Sequence, residues 1–479
     1  MNFFSLSLSF FLKISSQIIK KLVNKSCFAC LYQKLFYALI PNMTLESSPF
    51  TLKNLISTAR DYFCLVPEYR TGNIKYSIED SLLSALGMFF FQEPSLLAFQ
   101  EELKESAGDD NLHTLFEVSK IPKTSQFRRI IDEVKPENLF PIFDAYFKIL
   151  SQNKFLQRFQ ILSGRYLFVL DGTEYFTSNA DEKPCDRCLQ RELKDGKIQY
   201  YHQLVQGSFM KAGASAVIPF APEEICLQDG STKQDCEVNA AKRLITRLHS
   251  SHPHLDIIIN GDDIYSRVPM VKHTLENKFS FIFVAKETSH AHLYEWLSEL
   301  RKLDYTSKYE KKDLEGNLQQ FEWCCNVPLR SDDKLMVNWL SYTVYNKQGE
   351  RTYFNTWVTN VTPTKQNIEE LANAGRTKWK IENENFNILK NYGYHLEHSF
   401  GHGEKNLSFN FVVLNLLAFF LHHVQRLAVP LFQLARAKAR TGYNFFEKLR
   451  SAIDFFVWES WESLLEWVFI KRKPVRAPP

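Results

Sequence analysis

Tyr166-Leu-Phe-Val-Leu-Asp171-Gly-Thr-Glu-Tyr-Phe176 is an apolar run that ends on an acid, and a second run, Asp256-Ile-Ile-Ile-Asn-Gly-Asp262-Asp-Ile-Tyr265, ends the same way. Short apolar runs of this kind read as buried strands. A third acid, Glu382, lies in a stretch with helical character, Arg376-Thr-Lys-Trp-Lys-Ile-Glu382-Asn-Glu-Asn-Phe386. Two acids at strand ends and one on a helix can converge on a pair of hard divalent ions, because Mg²⁺ takes oxygen ligands and leaves positions open for phosphate. Such a set suits phosphodiester hydrolysis and transesterification. Asp263 competes with Asp262 for the second position, and the spacing Asp-x-x-Tyr favours the earlier residue. A single Asp in a turn after a strand is common, so the reading rests on the three together.

The surrounding pattern is α/β. Residues from 43 to about 150 read as helical, with Ile78, Leu82, Ala85, Leu86 and Phe89 on one face. Within them, Pro122-Lys-Thr-Ser-Gln-Phe-Arg128-Arg129-Ile-Ile131 predicts a Thr/Ser-started, basic amphipathic helix, either an ordinary surface helix or one that meets DNA phosphates. Strands are expected at Tyr166 to Leu170, Ile198 to Val205, Ala214 to Phe220, Ile257 to Ile259 and Phe279 to Lys286, with a helix over Ala240 to His249. Alternation in Gln320 to Cys325, Val337 to Tyr345 and Thr352 to Thr359 predicts a mainly β insertion between Asp262 and Glu382. The expected segments are a helical region over 43–150, a first core part over 151–286, the insertion over 287–365, a second core part with the Glu helix over 366–425, and a helical C-terminal region over 426–479.

Composition limits the options. The chain has 479 residues, 45% apolar and 23% charged, with a net charge of +4. Any contact with nucleic acid must therefore come from local clusters such as Arg128-Arg129, Lys242-Arg243, Arg376 to Lys380 and Lys471-Arg-Lys473, each of which alone reads as a solvated surface. Nine cysteines without a secreted-domain framework fit a reducing, cytoplasmic compartment. Phe409 to Val424 is apolar but holds Asn410, Asn415, His422 and His423, and it is short of the about 20 apolar residues of a membrane span, so it reads as a core helix. Met1 to Leu12 lacks the leading positive charge of a secretory signal. The first 42 residues are consistent with a start codon assigned too far upstream.

Three stretches together resemble the DDE transposases of bacterial insertion sequences, of the IS-four type: Leu170 to Phe176; Gln228 to Glu237 with Ala240 to Arg243 and Gly261 to Tyr265; and Gly375 to Glu382, continuing to Lys390 and through Gly393 to Gly403. The similarity runs from about Met43 to His423. It implies a ribonuclease-H-like core with Asp171, Asp262 and Glu382 as ligands of two Mg²⁺ (or Mn²⁺) ions. It also implies double-stranded DNA as substrate, the inverted-repeat ends of the element and a target, and a homodimer that cleaves two ends in one complex. In that family the glutamate motif runs Tyr, then Arg three residues on, Glu four further and Lys seven beyond. Here Gly375 takes the Tyr place and Lys378 the Arg place, with Arg376 nearby. Leu389 takes the Lys place, and Lys390 falls one residue late. Arg376, Lys378 and Lys390 are the expected DNA contacts there. On a regular helix Lys378 shares the face of Glu382, whereas Lys390 lies roughly 80° away.

Two further groups carry chemistry. Cys185-Asp-Arg-Cys188 has the spacing of half a structural zinc site, with His202 or Cys236 as candidates for the rest. His395, Glu397, His398 and His402 lack the His-Glu-x-x-His order and read as lining DNA or capping the helix after Glu382. If cleavage passes through a DNA hairpin, a flipped base needs an aromatic platform. Trp323, Trp339 and Trp357 are candidates, Trp323 first, although each also fits the core of a β domain.

Overall fold

In a computed structural model of the protein, helices come first: α1 over Leu52–Phe63, α2 over Ile78–Phe90, α3 over Thr124–Asp132 and α4 over Pro141–Gln152. The structure describes residues 48–96, 99, 110–226, 235–398 and 400–470. The 42-residue extension, Gln228 to Gln234 of the second motif and the basic tail Lys471-Arg-Lys473 lie outside the described residues. α3 begins at Thr124 behind Lys123, which supplies no side-chain cap, so the expected Thr/Ser start is displaced by one residue. Its apolar face (Phe127, Ile130, Ile131) is buried, and Arg128 and Arg129 are exposed.

One large sheet follows. Its strands are β1 (Arg165–Ser178), β2 (Leu189–Glu192), β3 (Ile198–Met210), β4 (Glu223–Ile225), β5 (Ile257–Gly261) and β6 (Ser280–Val284), with helix α5 (Glu237–Ser251) between β4 and β5. Of the strand expected over Ala214 to Phe220, only Ile218–Pro219 pairs. β1 is antiparallel to β3, and β3 to both β2 and β4. β1 is parallel to β5, and β5 to β6. Every residue of β5 is buried, as befits a central strand with parallel neighbours on both sides.

After α6 (Ala291–Lys302) come β7 (Ser307–Lys312), β8 (Leu318–Pro328), β9 (Met336–Tyr345) and β10 (Arg351–Thr359), an antiparallel succession. These are the strands expected of the insertion. They are not a detached module: Trp357 to Thr359 pair with Val284 to Ile282, so the sheet runs on in the order β2-β3-β1-β5-β6-β10-β9-β8-β7. From Leu52 onward the chain clusters as a single compact unit.

Helix α7 (Ile368–Arg376) leads into the Glu382 segment, and α8 (Leu407–Ala428) is the core helix. α8 is the one helix among the described residues long and apolar enough to cross a membrane, and 94% of its apolar window is buried inside the protein. Its polar residues serve the fold. Asn410 donates to the Ile131 and Val134 carbonyls at the end of α3, Asn415 donates to the Tyr394 carbonyl, and His423 accepts the Val217 N–H. Buried polar groups paired in this way cost little, while unpaired ones would cost heavily.

Candidate active site

Asp171 stands where β1 passes from full burial (Leu167 to Leu170) to partial exposure. The parallel register pairs Val169 with Asn260, and two residues further it sets Asp171 beside Asp262, which follows β5 and opens a short turn over Asp263–Ser266. The Asn260 side chain donates to the Ala374 carbonyl at 2.7 Å, which fixes the end of α7 against β5. The chain then continues helically through Lys378–Lys380 and brings Glu382 to the two aspartates. The structure thus collects the three acids, distant in sequence, around one point.

That point is the Lys378 ammonium. Its Nζ lies 3.0 Å from Asp171 Oδ2, 2.8 Å from Glu382 Oε1 and 3.7 Å from Asp262 Oδ2. Lys378 is buried, whereas the Asp262 and Glu382 side chains are 47% and 58% exposed, so the site opens to solvent on the acid side. Burial alone would lower the Lys378 pKa, but the surrounding acids hold it above the ordinary lysine value. Burial pushes the Asp171 carboxyl up to about 6; Lys378 opposes the shift, and Glu237 and Glu382 add to it. An internal cation therefore occupies the focus of three oxygen donors. Lys378 was expected to reach outward to phosphate; here it is drawn inward, because three acids attract it more than solvent does.

Of the two neighbouring aspartates, Asp262 is the one that faces the Lys378 ammonium. Asp263 is engaged elsewhere, accepting the Lys286 N–H at 2.8 Å and the Ser289 hydroxyl at 2.5 Å. The Tyr of Asp-x-x-Tyr has two tasks: its N–H donates to the Asp262 carbonyl, and its hydroxyl donates to Glu237 Oε1 at 2.7 Å. Glu237 is a fourth acid that sequence reasoning passed over as a site residue. It lies so close to β1 that a Cβ on Gly172 would meet its carboxylate at 2.3 Å. Only its place in the second motif hinted at a role.

Both departures in the glutamate motif have structural counterparts. At Gly375, a Cβ would lie 2.5 Å from Trp357 Cε2, so α7 sits flush on a buried indole and no larger residue fits. Around Glu382 and ahead of Lys390, residues Ile381–Phe386 form a π-helix. A π-turn takes up one extra residue, so the eighth position after Glu382 falls near the place of the seventh on an uninterrupted α-helix. The π-turn works against the roughly 80° offset expected for Lys390 on a regular helix. Its Nζ pairs with Glu397 at 2.7 Å. Arg376 turns away from the acids, its guanidinium over the rings of Tyr353 and Tyr342 at 4.6 and 5.6 Å.

The aromatic platform is a correction. Trp323 is 8% exposed, and Trp339 and Trp357 are fully buried, so their ring faces are taken up by packing in the extended sheet. Trp379, next to Lys378, is 49% exposed and was not singled out from sequence. Arg128 lies against Gly401, while Arg129 faces outward on α3.

Cys185 and Cys188 are brought to His202 on β3, and also to His402 from the loop before α8, with all four ligand atoms within 4.8 Å of one another. Cys236, the other candidate, is exposed at the start of α5 and takes no part. His402 therefore belongs with the cysteines. Glu397 pairs with Lys390, and His398 packs edge-on against Phe400.

No protein-family model matches this sequence, and no curated protein matches it.

Proposed function

We propose that the protein is a DNA transposase of the DDE type, which cuts the inverted-repeat ends of its own element and joins them to target DNA as a homodimer in the bacterial cytoplasm. The observation that carries this reading is the convergence of Asp171, Asp262 and Glu382, from two parallel strand ends and a helix, on one cation. The strand order β4-β3-β1-β5-β6, with β1 parallel to β5 and β5 to β6, supports a ribonuclease-H-like core.

The donor set fits Mg²⁺ or Mn²⁺: all three ligands are hard oxygens, two are open to solvent, and the place between them already holds positive charge. Bound divalent ions would activate the attacking oxygen and stabilise the leaving one. The chain's own residues do the rest. Asp171, Asp262 and Glu382 would hold the cations, with Asp171 in its ionised form. Lys378 neutralises the acids, and its ammonium would be available to a DNA phosphate beside the site if a divalent ion took its place. Water attack on a phosphodiester breaks the P–O3′ bond and leaves a 3′-hydroxyl. That hydroxyl attacks a target phosphodiester, forming one P–O bond as another breaks.

The test is Mg²⁺- or Mn²⁺-dependent cleavage of DNA carrying the element's ends, with Asp171→Asn, Asp262→Asn and Glu382→Gln as comparisons. Each substitution is expected to reduce the rate on the order of 10⁴-fold, the scale seen when one member of a catalytic unit is removed. Wild-type protein that binds the ends without cutting them would sink the enzymatic reading and leave a DNA-binding relic.

A further inference from the structure

We propose that Cys185, Cys188, His202 and His402 form a closed structural zinc site that pins the chain beyond the Glu382 helix to the edge of the sheet. The geometry is that of a coordination shell. Cys185 Sγ and Cys188 Sγ are 3.5 Å apart, His202 Nε2 is 3.4 Å from each sulfur, and His402 Nε2 is 3.5 Å from Cys188 Sγ and 3.3 Å from His202 Nε2. A regular tetrahedron has a centre-to-vertex distance of about 0.6 of its edge, so these edges put the centre roughly 2.1 Å from each atom, beside the Zn–N and Zn–S bond lengths. Two thiolates and two neutral imidazoles balance the charge of Zn²⁺, and thiolate ligands favour it over Mg²⁺.

The surroundings fit as well. His202 turns its other ring nitrogen to Glu224, 3.2 Å from Oε1, at ion-pair distance rather than in an aligned hydrogen bond. Glu224 is buried and is itself held by the Tyr175 hydroxyl at 2.8 Å and by Arg187. A carboxylate behind a histidine orients the ring and strengthens its metal-facing nitrogen. Cys185, Cys188 and His202 are buried, and His402 forms the half-covered rim with its ring against Phe176.

The loop bearing His402 is held from the other side by Asp132 at the end of α3, which accepts the backbone N–H groups of Glu404, Lys405, Asn406 and Leu407. A metal here would join β3 and the β1–β2 turn to the start of α8, fixing where the chain runs after it leaves Glu382. The inference does not depend on the catalytic reading, because it is read in metal content.

Full-length protein, expressed with zinc in the medium and purified without chelator, is assayed for metal by mass spectrometry, alongside Cys185→Ser, His402→Ala and Asp171→Asn. The expected result is one zinc per chain in wild type and Asp171→Asn, little or none in Cys185→Ser, and in His402→Ala a retention against chelator weakened by more than the roughly 10–100-fold that loss of a ligand's carboxylate partner costs. Cobalt exchanged into wild type should give the visible bands of a tetrahedral thiolate site. Should Cys185→Ser fail to fold, the rim variant His402→Ala carries the test. Wild type without zinc, a Cys185–Cys188 disulfide in its place, or zinc and cobalt spectra unchanged in His402→Ala would each overturn the proposal.

Discussion

Strand β1 runs past two donor clusters of opposite chemistry. Midway along it, Asp171 joins Asp262 and Glu382 in an all-oxygen set that is open to solvent and already contains the Lys378 ammonium. Further on, Phe176 packs against His402 of a sulfur–nitrogen set whose members are mostly buried and whose four ligand atoms already lie together. An ion entering the first cluster would have to displace an internal counter-charge, which would favour weak, reversible loading. At the second it meets ligands already spaced for it, which favours retention.

Four experiments bear on that contrast. The largest expected effect tests how the open cluster is held. Gly375→Tyr drives a ring into Trp357 and should cost about 3 kcal/mol or more in a denaturant titration. A variant as stable as wild type would show that α7 is not locked to β10.

Removing the internal cation comes next. Lys378→Met leaves the Asp171 carboxylate buried without its partner and should cost about 2 kcal/mol, less than a fully buried pair because solvent reaches Asp262 and Glu382. Millimolar Mg²⁺ should recover much of this loss in thermal unfolding, and it should stabilise the variant more than wild type. No gain from Mg²⁺ would mean that Lys378 does not stand in a cation's place.

The closed cluster is sharpened by Glu224→Gln, expected to weaken zinc retention about 10–100-fold in a competition assay, as loss of a histidine's carboxylate partner does elsewhere. Unchanged retention would remove Glu224 from the site.

The smallest effect is in pH. The Asp171 carboxyl ionises at about 6 in the folded protein against 3.8 ordinarily, so between these values the native state holds a proton that the unfolded chain has lost. Its contribution to stability is therefore greatest below pH 3.8, declines as pH rises to about 6 and is level above that. Mg²⁺ binding must release this proton, so affinity should fall about tenfold per pH unit below 6. The dependence should flatten in Asp171→Asn. An equal slope in that variant would assign the proton to another group.

Much of this was legible in the chain. The run Ile257 to Gly261 reads as a buried strand, and the acid that follows it sits where burial ends, because a carboxylate can stay charged only where water or a cation reaches it. The α8 helix was recognisable because its few polar side chains break a run otherwise fit for lipid. Lys378 reads from sequence as sharing the face of Glu382, but its turn inward onto three acids could not be read there, since an ammonium follows whichever charges surround it after folding. The tryptophans were ambiguous for a similar reason: alternation marks a strand face but does not say whether another layer covers it.

What the sequence determined by itself is local: which segments are strands or helices, where each acid falls at an element's end, and that Cys185 and Cys188 have the spacing of half a ligand set. What only the tertiary structure decided is everything that needs a distant partner. His402 joins the cysteines, Trp357 removes the room beside Gly375, and a π-turn absorbs the extra residue before Lys390. The physical reason is range. Backbone preference and apolar periodicity act over a few residues, whereas coordination and close packing are set by atoms that meet only after the chain has folded.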